Sequence, residues 1–422
     1  MPSFHITGGK TLRGTVKTPG SKNAVLPLMS AALLFNVPVT LKNVPEVRDV
    51  TVMKDLLRAI GATVDDSKVN IMTITPPAKM TTNLPIKLVS CLRGSVLLLG
   101  PILTRQQQVT LPQPGGDVIG KRSISQHLIG LEAMGGMIDQ KNNRYALKGR
   151  LHGADLYLED ASVTATENLV MAASLAHGPT TIRHAAEEQH VIALCQLLAE
   201  AGADISGIGT SEIRITGRDG QPFNKSVTFT IPPDEIDAGT FAIAALITKG
   251  KITIDPYPAH TLRPLTEKLT NLGAKFTPNP NGQAMTVSVG ENLHPLACKV
   301  GPAPGFPTDL QPPMAVLATQ IKGWSTIHDW MYDNRFGYVE ELLKFGAHIV
   351  PYDQHRIAIA GPTPLSAQHI YSRDIRAGIA FVLAALVAEG TSVIDHASIV
   401  ERGYANLAGR LKKLGAEIER QD

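Results

Sequence analysis

Nine residues, Pro114-Gly-Gly-Asp-Val-Ile-Gly-Lys-Arg122, gather flexibility, an acid and two bases into one stretch. Glycines at 115, 116 and 120 permit positive φ and a close approach of backbone to ligand. Lys121 and Arg122 offer donors to a phosphate or carboxylate, and Asp117 stands five residues before Arg122. A closing loop over 112–123 would carry that acid onto a substrate. Taken alone, the same stretch reads as a surface turn ahead of a helix over 123–134. Five further places set polar side chains where the chain enters an apolar helix: Lys22-Asn23, Arg93-Gly94, Ser162-Val163-Thr164, Asp309-Leu310-Gln311 and Asp374-Ile375-Arg376. Helix starts present unpaired N–H groups and favour anions. Singly, Ser162, Thr164 and Asp374 read equally well as N-caps. Lys22, Arg93, Arg122 and Arg402 together suit one polyanionic ligand better than four unrelated surfaces.

The elements behind these residues repeat. Leu-x-x-apolar-Gly-Ala/Gly occurs six times, ending on glycines 61, 135, 202, 273, 346 and 415 at intervals of 67 to 74 residues. Each glycine suits the left-handed position that ends a helix. About twenty residues earlier comes a short strand with Thr or Ser: Val39-Thr-Leu, Val109-Thr-Leu, Thr180-Thr-Ile, Ile252-Thr-Ile, Ser325-Thr-Ile and Thr391-Ser-Val-Ile. An Ala/Leu-rich helix precedes each strand. Six units of near seventy residues, each with two helices and several strands, form small α/β layers that bury their helices on assembly.

Two sets of three units give two similar domains, 22–232 and 1–21 with 233–422, separated at Pro232-Pro233-Asp234. The opening strand Phe4 to Gly8, with Gly14 to Thr18, is expected beside the sixth unit. Two crossings near 20 and 232 would form a hinge, with the ligand in the cleft between domains.

Composition bounds the partners. Forty basic against thirty-seven acidic residues give a net charge of +3, and no basic cluster marks a nucleic-acid or membrane surface. The N-terminal residues lack the pattern of a leader, and the longest apolar run, 379–388, is too short to span a bilayer. A cytoplasmic protein is expected. Cys91, Cys195 and Cys298 are widely spaced and unpaired in pattern, which predicts reduced thiols in apolar segments.

Pro19-Gly-Ser-Lys-Asn-Ala, the 114–122 stretch, Pro304-Gly-Phe-Pro-Thr-Asp-Leu-Gln, Asp333-Asn-Arg-Phe, Asp374-Ile-Arg-Ala and Glu401-Arg-Gly-Tyr occur in the order seen in the enolpyruvyl transferases. The resemblance runs nearly end to end and implies two inside-out α/β barrel domains of three βαβαββ units each. It implies transfer of the enolpyruvyl group of phosphoenolpyruvate to the 3′-hydroxyl of UDP-N-acetylglucosamine, an early step of peptidoglycan synthesis. On this reading Asp309 is the base toward that hydroxyl, Asp117 the acid, and Lys22, Arg122 and Arg402 hold phosphoenolpyruvate. Asn23, Arg93, Ser162, Val163, Thr164, Met331, Arg335, Asp374 and Arg376 line or support the substrate sites. The implied addition and elimination needs a base, an acid and cations, and no metal or organic cofactor.

The chain departs from the family's common pattern at three positions. Asp117 stands where most relatives carry Cys, Ser125 where an Asp precedes the following His127, and Asp160 where a Lys is common. The first departure implies resistance to the epoxide fosfomycin, which alkylates the loop thiolate. The others bear on the acceptor, so shikimate 3-phosphate as acceptor, or a non-catalytic nucleotide-binding relative, remain rival readings. Retention of Lys22, Asp309 and Arg402 favours catalysis.

Overall fold

The computed structural model describes residues 1–116 and 123–422, which fall into two compact units. One is built from Met1–Pro19 and Pro233–Asp422, the other from Gly20–Gly116 and 123–232. The loop residues 117–122, among them Asp117 and Arg122, lie outside the described residues.

Among the described residues, each unit holds three sheets and three helices buried on every side. In the second unit these inner helices are Lys22–Ala31, Leu99–Gln106 with the 3₁₀ turn Arg93–Leu98 ahead of it, and Val163–Leu175. In the first they are Glu235–Ile247, Gln311–Thr319 and Ile375–Val387. The sequence explains the location: Ala, Leu, Ile and Val occupy all faces of Ile375–Val387, so no face can meet water without cost. A second helix in each repeat, such as Arg48–Ile60 or Arg263–Asn271, buries only a stripe.

Among the described residues, five of the six sheets share one strand order, with the Thr-bearing strand internal in each of the five. In the fifth repeat, for example, Ala297–Lys299 lies parallel to Gly323–His328, which pairs antiparallel with Arg356–Gly361, itself antiparallel to His348–Asp353. The second sheet has three strands, with Asn83 bridging to Thr110 in the missing place. Outward positions carry hydroxyls that pair across strands, Thr40 with Thr73 at 3.0 Å and Thr253 with Thr286 at 2.8 Å. The six glycines at 61, 135, 202, 273, 346 and 415 have φ between 95 and 106, the left-handed stop that an L side chain resists.

The chain's first strands complete sheets formed from distant sequence. Ser3–Thr7 lies between Thr391–Asp395 and Glu417–Gln421 in the sixth sheet. Arg13–Lys17 instead runs parallel to Lys251–Asp255 in the fourth sheet, which corrects the expectation that both strands join the sixth repeat. The first sheet likewise takes Val227–Thr230, parallel to Val39–Lys42. The helix expected over 123–134 runs from Ser125 to Ala133. Cys195 and Cys298 are buried, and burial pushes both thiols up to about 12, but Cys91 is exposed, against expectation.

Candidate active site

The predicted site residues sit at the heads of the inner helices, in two separate groups. In the unit containing Asp309, the fifth inner helix begins with the 3₁₀ turn Thr308–Leu310, which leaves the Asp309 carboxylate part-exposed. Asp309 Oδ1 accepts from Arg335 Nη2 at 2.6 Å, and Oδ2 from Arg376 Nη2 at 2.7 Å. Both arginines are nearly buried, at 4% and 7% exposure, and both meet a counter-ion in this one carboxylate. Burial opposes charge on Arg376, but the charges of Asp309 and Asp234 outweigh it and keep the guanidinium firmly protonated.

Neighbouring groups fix this assembly. Arg335 also donates to Thr308 O at 3.1 Å, and Arg376 Nη1 to Tyr404 Oη at 3.3 Å. Tyr404 Oη lies 3.0 Å from Thr240 Oγ1, and burial raises its phenol to about 12, so it stays neutral. Thr308 Oγ1 donates to buried Asp329, whose other oxygen accepts from Met331 N at 3.1 Å. Met331 thus enters through its backbone, with its side chain against the core. The Asp374 carboxylate accepts from the N–H groups of Arg376 and Ala377, and so acts as the N-cap that sets the Arg376 helix. Arg402 lies in the turn beside it. A Cβ at Gly403 would stand 2.5 Å from Ile375 and 3.5 Å from Arg376 Nη1, so only glycine lets that turn approach.

Sequence reasoning passed over the fourth helix head, although it lies in phase with the others. Asp234 caps it through the N–H groups of Ile236 and Asp237, and Glu235 follows. Burial, then the charges of Asp234 and Asp309, raise the Glu235 carboxyl to about 8, which leaves it mostly protonated at neutral pH. Asp237 is buried and holds Arg410 through both oxygens, at 2.7 and 2.5 Å.

The other unit supplies the second group. Lys22 opens its helix behind the Ser21 cap and pairs with Asp49 at 3.2 Å, an interaction between residues that are 14% and 4% exposed. Asn23 is part-buried beside it. Arg93 donates to Ser123 O at 3.0 Å. Ser162, Val163 and Thr164 are part-exposed at the head of the third helix. Thr164 Oγ1 lies 3.1 Å from Nε2 of His127, which is buried. Burial, aided by the Arg93 charge, lowers the His127 imidazole to about 3. Glu167, one turn further along, is also buried, and burial together with Glu188 keeps its carboxyl well above the usual range. His127 and Glu167 thus stand in this corner as neutral groups. Asp49, His127 and Asn168 escaped functional notice in the sequence because their partners are remote along the chain.

The arrangement can fix a part-exposed carboxylate beside two guanidinium groups, and separately present a lysine, an arginine and hydroxyls at helix starts. Those are the parts required to activate a hydroxyl and to bind anions.

Comparison with known proteins agrees. Residues 6–411 match the family described as EPSP synthase (3-phosphoshikimate 1-carboxyvinyltransferase). A UDP-N-acetylglucosamine 1-carboxyvinyltransferase of Treponema denticola is 38% identical over 99% of both chains. The UDP-N-acetylglucosamine 1-carboxyvinyltransferase 1 of Halalkalibacterium halodurans is 39% identical over all of this chain and 94% of its own. Among solved structures, the enolpyruvyl transferase NikO from Streptomyces tendae matches with a TM-score of 0.90 at 25% identity, over 100% of this chain and 99% of NikO. EPSP synthase from Acinetobacter baumannii shares the fold, with a TM-score of 0.77 at 18% identity over the full length of both. The inside-out units of three repeats, the polar helix heads and these matches place the chain in the enolpyruvyl transferase family.

Proposed function

We propose that the protein transfers the enolpyruvyl group of phosphoenolpyruvate to the 3′-hydroxyl of UDP-N-acetylglucosamine with release of phosphate, the first committed step of peptidoglycan synthesis. Full-length identity of 37–39% to enzymes that carry that name supports the acceptor over shikimate 3-phosphate. The geometric observation that carries the chemistry is the Asp309 carboxylate, gripped by Arg335 and Arg376 yet still part-exposed. A carboxylate oxygen that accepts one N–H keeps a further lone pair for a substrate hydroxyl. Asp309 takes the hydroxyl proton as the hydroxyl oxygen attacks C2 of the enol phosphate, and a proton is delivered to C3. Loss of a C3 proton and departure of phosphate then restore the vinyl group.

Lys22, Arg122 and Arg402 hold the phosphate and carboxylate of phosphoenolpyruvate in this reading, and Asp117 is the proton donor. Asn23, Arg93, Ser162, Val163 and Thr164 meet the sugar nucleotide. The partners are small molecules, and the enzyme works in the cytoplasm. No helix among the described residues is long and apolar enough to cross a membrane. Phosphate release from phosphoenolpyruvate should depend on UDP-N-acetylglucosamine and yield the enolpyruvyl ether by mass spectrometry. Release driven by shikimate 3-phosphate instead would overturn the acceptor assignment, and release with neither would remove both.

A further inference from the structure

The third helix head contains a hydrogen-bond chain whose direction follows from its chemistry. Gly100 N lies 2.6 Å from Asn168 Oδ1, and a backbone N–H can only donate, so this atom is the amide oxygen. Asn168 Nδ2 must then donate, and does so to Val96 O at 2.8 Å and to His127 Nδ1 at 2.9 Å. An amide nitrogen has no lone pair to offer, so His127 Nδ1 is the acceptor and its neutral ring carries hydrogen on Nε2. Nε2–H points at Thr164 Oγ1, 3.1 Å away. The hydroxyl oxygen is thereby used as an acceptor, and the hydroxyl hydrogen is what remains for a partner on the part-exposed side. His127, Asn168 and Gly100 are buried, so nothing in solvent competes to reverse the chain.

We infer that His127, oriented by Asn168, makes Thr164 a fixed hydrogen-bond donor to a phosphate oxygen of the sugar-nucleotide acceptor. The inference rests on the reading that this helix head meets that acceptor. Asp160, nearby in sequence, is a carboxylate and supplies no such donor. His127 is a positioning residue in this scheme, because it acts on the ligand only through Thr164. A freely rotating threonine would spend part of its time offering lone pairs to an anion; the histidine removes that option. The expected gain is one directed bond to a charged acceptor.

Isothermal titration of UDP and of UDP-N-acetylglucosamine tests this. Thr164→Val should weaken both by roughly ten- to a hundredfold, the worth of one hydrogen bond to a charged group. Thr164→Ser should restore binding to near the native level. His127→Leu should weaken binding in the native background and add nothing in the Thr164→Val background. Saturating acceptor should recover kcat in each variant. Unchanged affinity of Thr164→Val, or an equal His127→Leu penalty in both backgrounds, would overturn the inference and leave the acceptor assignment standing. Failure of the unaltered protein to bind either nucleotide would overturn the assignment beneath it. Nitrogen NMR of ring-labelled histidine needs no variant beyond one to assign the signal: at neutral pH His127 should be the Nε2–H tautomer, and an Nδ1–H ring or an imidazolium would refute the chain's direction.

Discussion

At the head of the fifth inner helix an aspartate is held by two buried arginines, whereas at the head of the third a threonine is held by a buried histidine without charge. The backbone frame is the same repeat in both. The fifth can keep ions out of water because each carboxylate oxygen has its own guanidinium, and the carboxylate is thereby immobilised without being neutralised. At the third, burial and the nearby Arg93 charge keep the imidazole neutral, and it lends direction instead. On the proposed function, charge is concentrated where the reaction moves a proton, and orientation where a ligand must be told from its neighbours.

That contrast is broken most severely by removing the base. Asp309→Ala should lower kcat by roughly 10²- to 10⁴-fold, while phosphoenolpyruvate affinity survives. A variant turning over near the native rate in a phosphate-release assay would show that the ion-paired corner serves structure alone. A comparable loss is expected for Asp117→Ala. Asp117→Cys should stay active and become sensitive to time-dependent inactivation by fosfomycin, because a thiolate attacks an epoxide far more readily than a carboxylate. Inactivation of the native enzyme by the drug, measured after preincubation, would contradict this.

Stability should separate the corners further. Arg376→Met strips one partner from Asp309 and should cost about 2–4 kcal/mol in denaturant unfolding, toward the low end for a broken buried pair because Asp309 is part-exposed. A cost within error of zero would mean the pair is dispensable. The smallest effect, over most of the pH range, belongs to the neutral corner. The His127 imidazole lies at about 3 in the folded protein against 6.5 in the free side chain, so the unfolded chain binds the extra proton first. Stability from this site is full above 6.5 and is lost as pH falls toward 3, by at most about 1.4 kcal/mol per pH unit. His127→Gln should flatten that part of the acid limb relative to the native enzyme. Superimposable pH–stability curves would argue that His127 is not buried as a neutral ring.

Much of this was written in local sequence. The helix-ending glycines set the repeat, and the polar starts after Gly20, Leu92, Ala161, Thr308 and Arg373 marked the helix heads, since N-terminal and C-terminal signals act within a turn or two. The fourth head at Asp234-Glu235 was equally legible from the phase, yet its carboxylates read as part of a Pro-Pro turn. What sequence did not reveal was pairing. Lys22 meets Asp49, and Asp309 meets Arg335 and Arg376, across separations that only tertiary packing decides. His127 served merely as a landmark beside Ser125, because a lone histidine on a helix gives no sign of the amide that orients it. The placement of Arg13–Lys17 in the fourth sheet was missed for the same reason: a short strand does not name its neighbour.

The lodging of Ser3–Thr7 between Thr391–Asp395 and Glu417–Gln421 sets a timetable on the ribosome. At roughly 5–20 residues per second, the first strand emerges tens of seconds before either neighbour exists. The unit that starts at Gly20 has all its strands by Thr230 and can fold while synthesis continues. The other must keep Arg13–Lys17 unpaired until Lys251–Asp255 is released and Ser3–Thr7 unpaired until Thr391–Asp395 is, so nascent chains stalled just beyond 232 should resist protease in the early unit and lose 1–19 readily.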